Sequence, residues 1–165
     1  MQFQVDSSLL AEEVSIDGYN IRYRPPLEWR AIDGDCFYQR MAGHFNRQAG
    51  ILKVHEDSAS SAFLVVSDVR AEDPGMNDPL IKKDDEKKGR NVPWQDVRKG
   101  TFRHNDLQFT QYLLQGPRWI SFRLFAEAAD QSLRFDYFVR REIYGKEIKN
   151  IESSIGSINQ SITNQ

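Results

Sequence analysis

A single cysteine, Cys36, among 165 residues excludes any internal disulfide, so the chain is not a stapled secreted mini-domain. Long apolar runs are missing too. Stretches such as Ala62 to Val66 fall far short of the roughly 20 residues that a membrane-spanning helix needs. Nor is there an excess of positive charge: 22 Lys and Arg face 24 Asp and Glu, a net charge of −2. That balance excludes the broad basic footprint of a general nucleic-acid binder. The opening Met1-Gln2-Phe3-Gln4-Val5-Asp6 has no basic stretch followed by an apolar core, so no signal peptide is legible. The chain therefore reads either as cytoplasmic or as a mature form whose export signal was removed.

What is present suits one globular domain: 39% apolar, 28% charged and 12% aromatic residues. A chain of this length buries about two-thirds of its unfolded surface and needs neither disulfide nor metal to fold. Residues 1–16 are polar and weakly patterned, and they read as a flexible N-terminal arm. A single domain is expected over residues 17–160, with residues 161–165 as a tail.

From Tyr19 the pattern has period two, with Tyr19, Ile21 and Tyr23 on one face of a strand. Pro25-Pro26 ends it, since neither residue can donate to a ladder, and Trp29 follows as a core anchor. Asp33-Gly34-Asp35 forms a turn, after which Phe37, Met41 and Phe45 recur at helical spacing. Two strands are expected next, Ile51–His55 and Ala62–Val69. The mixed-charge run Lys82–Lys88 reads as a solvated segment. Trp94 and Val97 begin a short helix or strand that returns to the core.

In the C-terminal half, Leu107–Gln115, Trp119–Glu127 and Leu133–Arg140 alternate and are joined by short turns, which implies an antiparallel meander. The period then changes. Tyr144, Ile148, Ile151, Ile155 and Ile158 recur at spacings of three and four, the apolar stripe of a long terminal helix. The fold class is α+β: an antiparallel sheet flanked by helices, with the C-terminal helix packed on it.

Three places resemble the PsbP/DcrB/Mog-type family. They are Tyr19-Asn20-Ile21-Arg22-Tyr23-Arg24-Pro25-Pro26-Leu27-Glu28-Trp29, the meander from Gly100 to Arg140, and the closing Ile151-Glu152-Ser153-Ser154-Ile155-Gly156-Ser157-Ile158. The resemblance implies a non-catalytic binding or accessory module, not an enzyme. Its relatives include cell-envelope lipoproteins, photosystem-associated extrinsic proteins, a small-GTPase transport factor and cytosolic chaperones of secreted effectors. A protein partner is thus expected. A bacterial envelope protein, lipid-anchored if a signal was removed, is preferred over a cytosolic chaperone or adaptor. The polar arm carries that preference: at roughly 3.3 Å per residue it would reach about 50 Å as a tether.

Asp33-Gly34-Asp35-Cys36-Phe37-Tyr38 resembles the nucleophile site of ovarian-tumour-type cysteine deubiquitinases. A thiolate at a helix start is favoured by the helix dipole, and His55 and His104 are the candidate bases. That family's histidine comes late and precedes an aromatic residue. Here Glu56 follows His55 and Asn105 follows His104, so the match is partial. The rival reading packs Cys36 as a small apolar residue. His44 lies beside the helix stripe, and no histidine has partners at a zinc-ligand spacing. Neither Gly-x-Gly-x-x-Gly nor a P-loop occurs, so no cofactor is expected. Arg140-Arg141 is a basic pair that could grip an acidic partner, but a basic pair at a strand end is more often just solvated. Phe125 and Phe138 fall opposite the main apolar set of their strands, and this second aromatic face needs cover by a helix or by a partner. They are the candidate binding residues.

Overall fold

A computed structural model describes residues 3–40, 50–69, 94–128 and 131–160. In chain order the first half carries β1 (Val14–Ser15), β2 (Ile21–Tyr23), β3 (Arg30–Ile32), α1 (Gly34–Arg40), β4 (Ile51–Glu56) and β5 (Ala62–Asp68). The second half carries β6 (Asp96–His104), β7 (Leu107–Gln115), β8 (Trp119–Ala128), β9 (Gln131–Arg140), α2 (Tyr144–Ser157) and β10 (Asn159–Gln160). Seven strands form one antiparallel sheet in the order β3-β4-β5-β9-β8-β7-β6. A small second sheet runs β1-β2-β10. The expected α+β class holds in outline, with a C-terminal helix, but the described chain is mainly β.

The meander β7-β8-β9 forms because its strands alternate and its turns are short. Its register runs without a shift from Trp119 opposite Arg140 to Ala128 opposite Gln131. One face of the sheet receives α2. Ile151, Ile155 and Ile158 bury themselves there with Leu124, Phe135 and Tyr137. Small residues let the helix approach closely: the Ser154 hydroxyl donates to the Arg24 carbonyl at 2.7 Å and shares a 2.9 Å hydrogen bond with the Tyr137 hydroxyl. The opposite face receives α1, whose Phe37 ring lies 5.3 Å from Phe63 and 6.1 Å from Phe138. Met41, His44 and Phe45, the rest of the expected helix stripe, lie outside the described residues, as do Lys82–Lys88 and the expected tail 161–165.

Within the loose arm expected over residues 1–16, residues 3–16 are described and are packed on the domain. Residues 7–9 form a 3-10 turn capped by Asp6, whose carboxylate accepts the Ser8 amide at 3.0 Å. Leu10 and Ile16 are buried, and Val14 pairs opposite Tyr23. Further back, the Phe3 ring lies tilted against Phe102 and edge-on to His104, and the Asp6 amide donates to Ser153 on α2. The physical reason is Gly156: a Cβ placed there would lie 2.6 Å from Val5 Cγ2 and 3.0 Å from Phe3 Cβ. Its missing side chain is the seat of the N-terminal segment. A segment so packed is no tether.

Candidate functional site

The two expected binding residues do not form a surface. Phe138 is 1% exposed in the cluster under α1, and Phe125 is half-buried with its ring edge-on to Tyr112. The second aromatic face is covered by the chain itself. Phe63, Phe138 and Trp119 are buried in one cluster with Phe37.

Cys36 is exposed at the start of α1, behind a turn in which the Asp35 amide donates to Asp33 Oδ1 at 2.7 Å. Neither histidine proposed as its base is near it. His55 alternates with Val54, which joins the α1-side core, and so projects to the α2 side, where its Nε2 and the Tyr23 hydroxyl share a 2.8 Å hydrogen bond. His104 pairs through Nε2 with the Gly156 carbonyl at 2.8 Å, also on the α2 side. The sheet separates both rings from α1. The three residues that looked catalytic in sequence are not assembled. Among the described residues, no group of three or more His, Cys, Asp or Glu could hold a metal ion.

His55 has a structural consequence instead. Burial, and secondarily the charge of Lys53, push its pKa down from 6.5 to about 4. The folded state therefore holds the ring neutral while the unfolded state takes up a proton near pH 6.5. The resulting stability is complete above that pH and is lost as pH falls toward 4, by up to about 3 kcal/mol. Urea unfolding measured from pH 7 to pH 4 should show this acid limb. His55→Gln, which cannot titrate, should flatten it.

A buried ion cluster occupies the polar side of β8 and β9. Asp136 accepts Arg123 Nε at 2.7 Å and Arg134 Nε at 2.8 Å, and all three residues are buried. Arg22 and Arg24 line a cleft of about 720 Å³ beside β10, but their guanidiniums are already used within the chain. Arg22 pairs with Glu13 at 3.1 Å, and Arg24 donates to the carbonyls of Ala11 and Leu10.

The remaining basic group differs. At the β7–β8 turn and the end of β9, Pro117, Arg118, Arg140, Arg141 and Glu142 line an open cleft of about 410 Å³. Local folding puts them there. The Gly116 amide donates to the Trp119 carbonyl at 2.8 Å and closes the turn. The Arg141 amide donates to the Arg118 carbonyl at 2.9 Å, tying the end of β9 to that turn. Arg141 Nε donates to the Gly116 carbonyl at 3.1 Å, and the Arg140 guanidinium lies 5.2 Å above the Trp119 ring. Both contacts orient the charges without neutralising them. Among the described residues no carboxylate lies within ion-pair distance of Arg118, Arg140 or Arg141. Three arginines and one glutamate give the cleft a formal charge of 3 − 1 = +2, on a chain of net −2. Planar, oriented guanidiniums suit bidentate recognition of carboxylate or phosphate. The basic pair was visible in sequence, but Arg118 was not: only the pairing of Trp119 with Arg140 brings the turn to the strand end.

No family model matches the chain, and no curated protein matches it. Among solved structures, cyanobacterial PsbP (CyanoP) from Synechocystis sp. PCC 6803 superposes with a TM-score of 0.56 at 9% identity, covering 90% of this chain and 91% of that one. A Pseudomonas aeruginosa protein of unknown function superposes with a TM-score of 0.39 at 7% identity, over 90% and 94% of the two chains. No helix among the described residues is long and apolar enough to cross a membrane. At 9% identity the likeness to CyanoP is one of architecture, and the chain has a PsbP-like fold.

Proposed function

We propose that the chain is a non-catalytic accessory module that docks to an acidic patch on a protein partner through Arg118, Arg140 and Arg141. The observation that carries this reading is the set of three arginines, two of them held through their side chains by the Gly116 carbonyl and the Trp119 ring, with no carboxylate within ion-pair distance among the described residues. Anchored side chains lose little further freedom when they bind, so their contacts convert to affinity at low cost. The PsbP-like fold adds an analogy and no residue-level argument. The envelope location proposed from sequence now rests on the family resemblance alone, because the arm that served as tether is packed against Gly156. Fractionation of cells expressing the native gene tests that part.

The docking reading predicts salt-sensitive binding of an oligo-glutamate peptide at low ionic strength. Arg118→Glu with Arg141→Glu should weaken it at least about tenfold, since each lost charge-assisted contact is worth roughly 1.5–3 kcal/mol. Fluorescence anisotropy reads the affinity, and the unfolding midpoint should stay unchanged because both residues are exposed. Equal binding by the double variant would contradict the assignment. An electrophilic ubiquitin-type probe separates the hydrolase reading: labelling of Cys36 that is lost in His104→Ala would favour an enzyme.

A further inference from the structure

The seven-stranded sheet ends differently on its two sides. One border strand, β3, has three residues, whereas the other, β6, has nine and among the described residues pairs only with β7. The β6–β7 register runs unbroken from Asp96 opposite Gln115 to His104 opposite Leu107. No residue of β6 is buried, and among the described residues no strand pairs with its outer edge. Protein edges are normally blunted by shortness, proline, bulges or charge. Of these devices β6 has only charge, in Asp96, Arg98, Lys99 and Arg103.

Those charges discriminate between registers. Adjacent rungs of an antiparallel pair alternate in hydrogen bonding, so two identical strands related by a two-fold axis must place one residue opposite its own copy. Centring on Arg98 or Lys99 sets like charges face to face, and centring on Thr101 sets Lys99 against Arg103. Centring on Gly100 places Asp96 opposite His104, Arg98 opposite Phe102 and Lys99 opposite Thr101. This register uses all nine rungs and opposes no like charges. Glycine then sits on the axis, where it presents no side chain.

We propose that two copies of this chain associate through β6, paired antiparallel about Gly100, to make one continuous sheet. This goes beyond the docking corner, which lies at the β7–β8 turn and the end of β9 and stays open in such a dimer. The test uses the full chain with Cys36→Ser and Gly100→Cys. A Cβ at Gly100 meets nothing within 4 Å, and the Cα separation of directly opposed antiparallel residues falls in the range a disulfide accepts. Mild oxidation should give a linked dimer, and Arg103→Cys in the same background should crosslink far more slowly. Sedimentation equilibrium of the unaltered chain should show a monomer–dimer transition. Thr101→Lys, which opposes Lys99 on both sides of the axis, should abolish that transition without changing the circular dichroism spectrum. A chain that stays monomeric with no Gly100→Cys crosslink overturns the proposal. So does a dimer indifferent to Thr101→Lys, or an edge that takes up oligo-glutamate in place of a second copy.

Discussion

Asp136→Ala should destabilise the protein by about 3–5 kcal/mol, a large part of the roughly 5–15 kcal/mol that holds a domain folded. Asp136 is fully buried between two arginines that are 2% and 1% exposed. Its removal leaves both guanidiniums in the interior without the carboxylate that accepts their Nε protons at 2.7 and 2.8 Å. The partners cannot turn to water, because strand register fixes Arg123 directly opposite Asp136, and Arg134 lies two residues along the same strand. Chemical denaturation with a two-state fit gives the number. Replacing all three residues by apolar ones of similar volume should cost far less, since a buried ion pair is weak in net terms although breaking it is costly. A loss under about 1 kcal/mol for Asp136→Ala would mean that the cluster is hydrated.

Deleting residues 144–165 should abolish cooperative unfolding altogether. Ile151, Ile155 and Ile158 are each at most 2% exposed, and each contributes roughly 1.5–3 kcal/mol through burial. The same deletion removes β10 from β2 and strips Arg24 of its bonds to Ser154 and Ser157. It also takes away Gly156 and Ser153, against which residues 3–6 are seated. A truncated chain with a sharp thermal transition near that of the full chain would show that α2 is an appendage.

Elements that bury one face of a regular pattern were legible in the sequence. The meander strands and the Ile stripe of α2 match the spacings that predict them, and Ile21 and Tyr23 lie in the core as their alternation requires. Asp96–His104 escaped because this edge strand buries no residue fully, and its half-buried Val97 and Phe102 follow no apolar alternation. The N-terminal segment escaped for another reason. Phe3, Leu10 and Ile16 are isolated anchors in polar sequence, and the Gly156 seat of Phe3 lies 156 − 3 = 153 positions along the chain. On β9, Phe135 and Tyr137 alternate with Arg134 and Asp136, a pattern that marks one apolar face and leaves the other undecided. Both polar residues are nevertheless buried, in a strand paired with β5 on one flank and β8 on the other. Phe138 was mistaken for a contact residue on the same logic. No period marks the basic corner, because two arginines end a strand and the third sits in a turn.

The described chain is a PsbP-like sheet with α2 packed on one face and α1 on the other, and the proposed docking corner lies at one end of it. Amide chemical-shift mapping of the full chain with an oligo-glutamate peptide tests this most directly. The expected result is salt-sensitive shifts concentrated at Arg118, Trp119, Arg140 and Arg141, with the sheet faces silent. Shifts centred on Cys36 and the start of α1, or spread along Asp96–His104, would contradict the account.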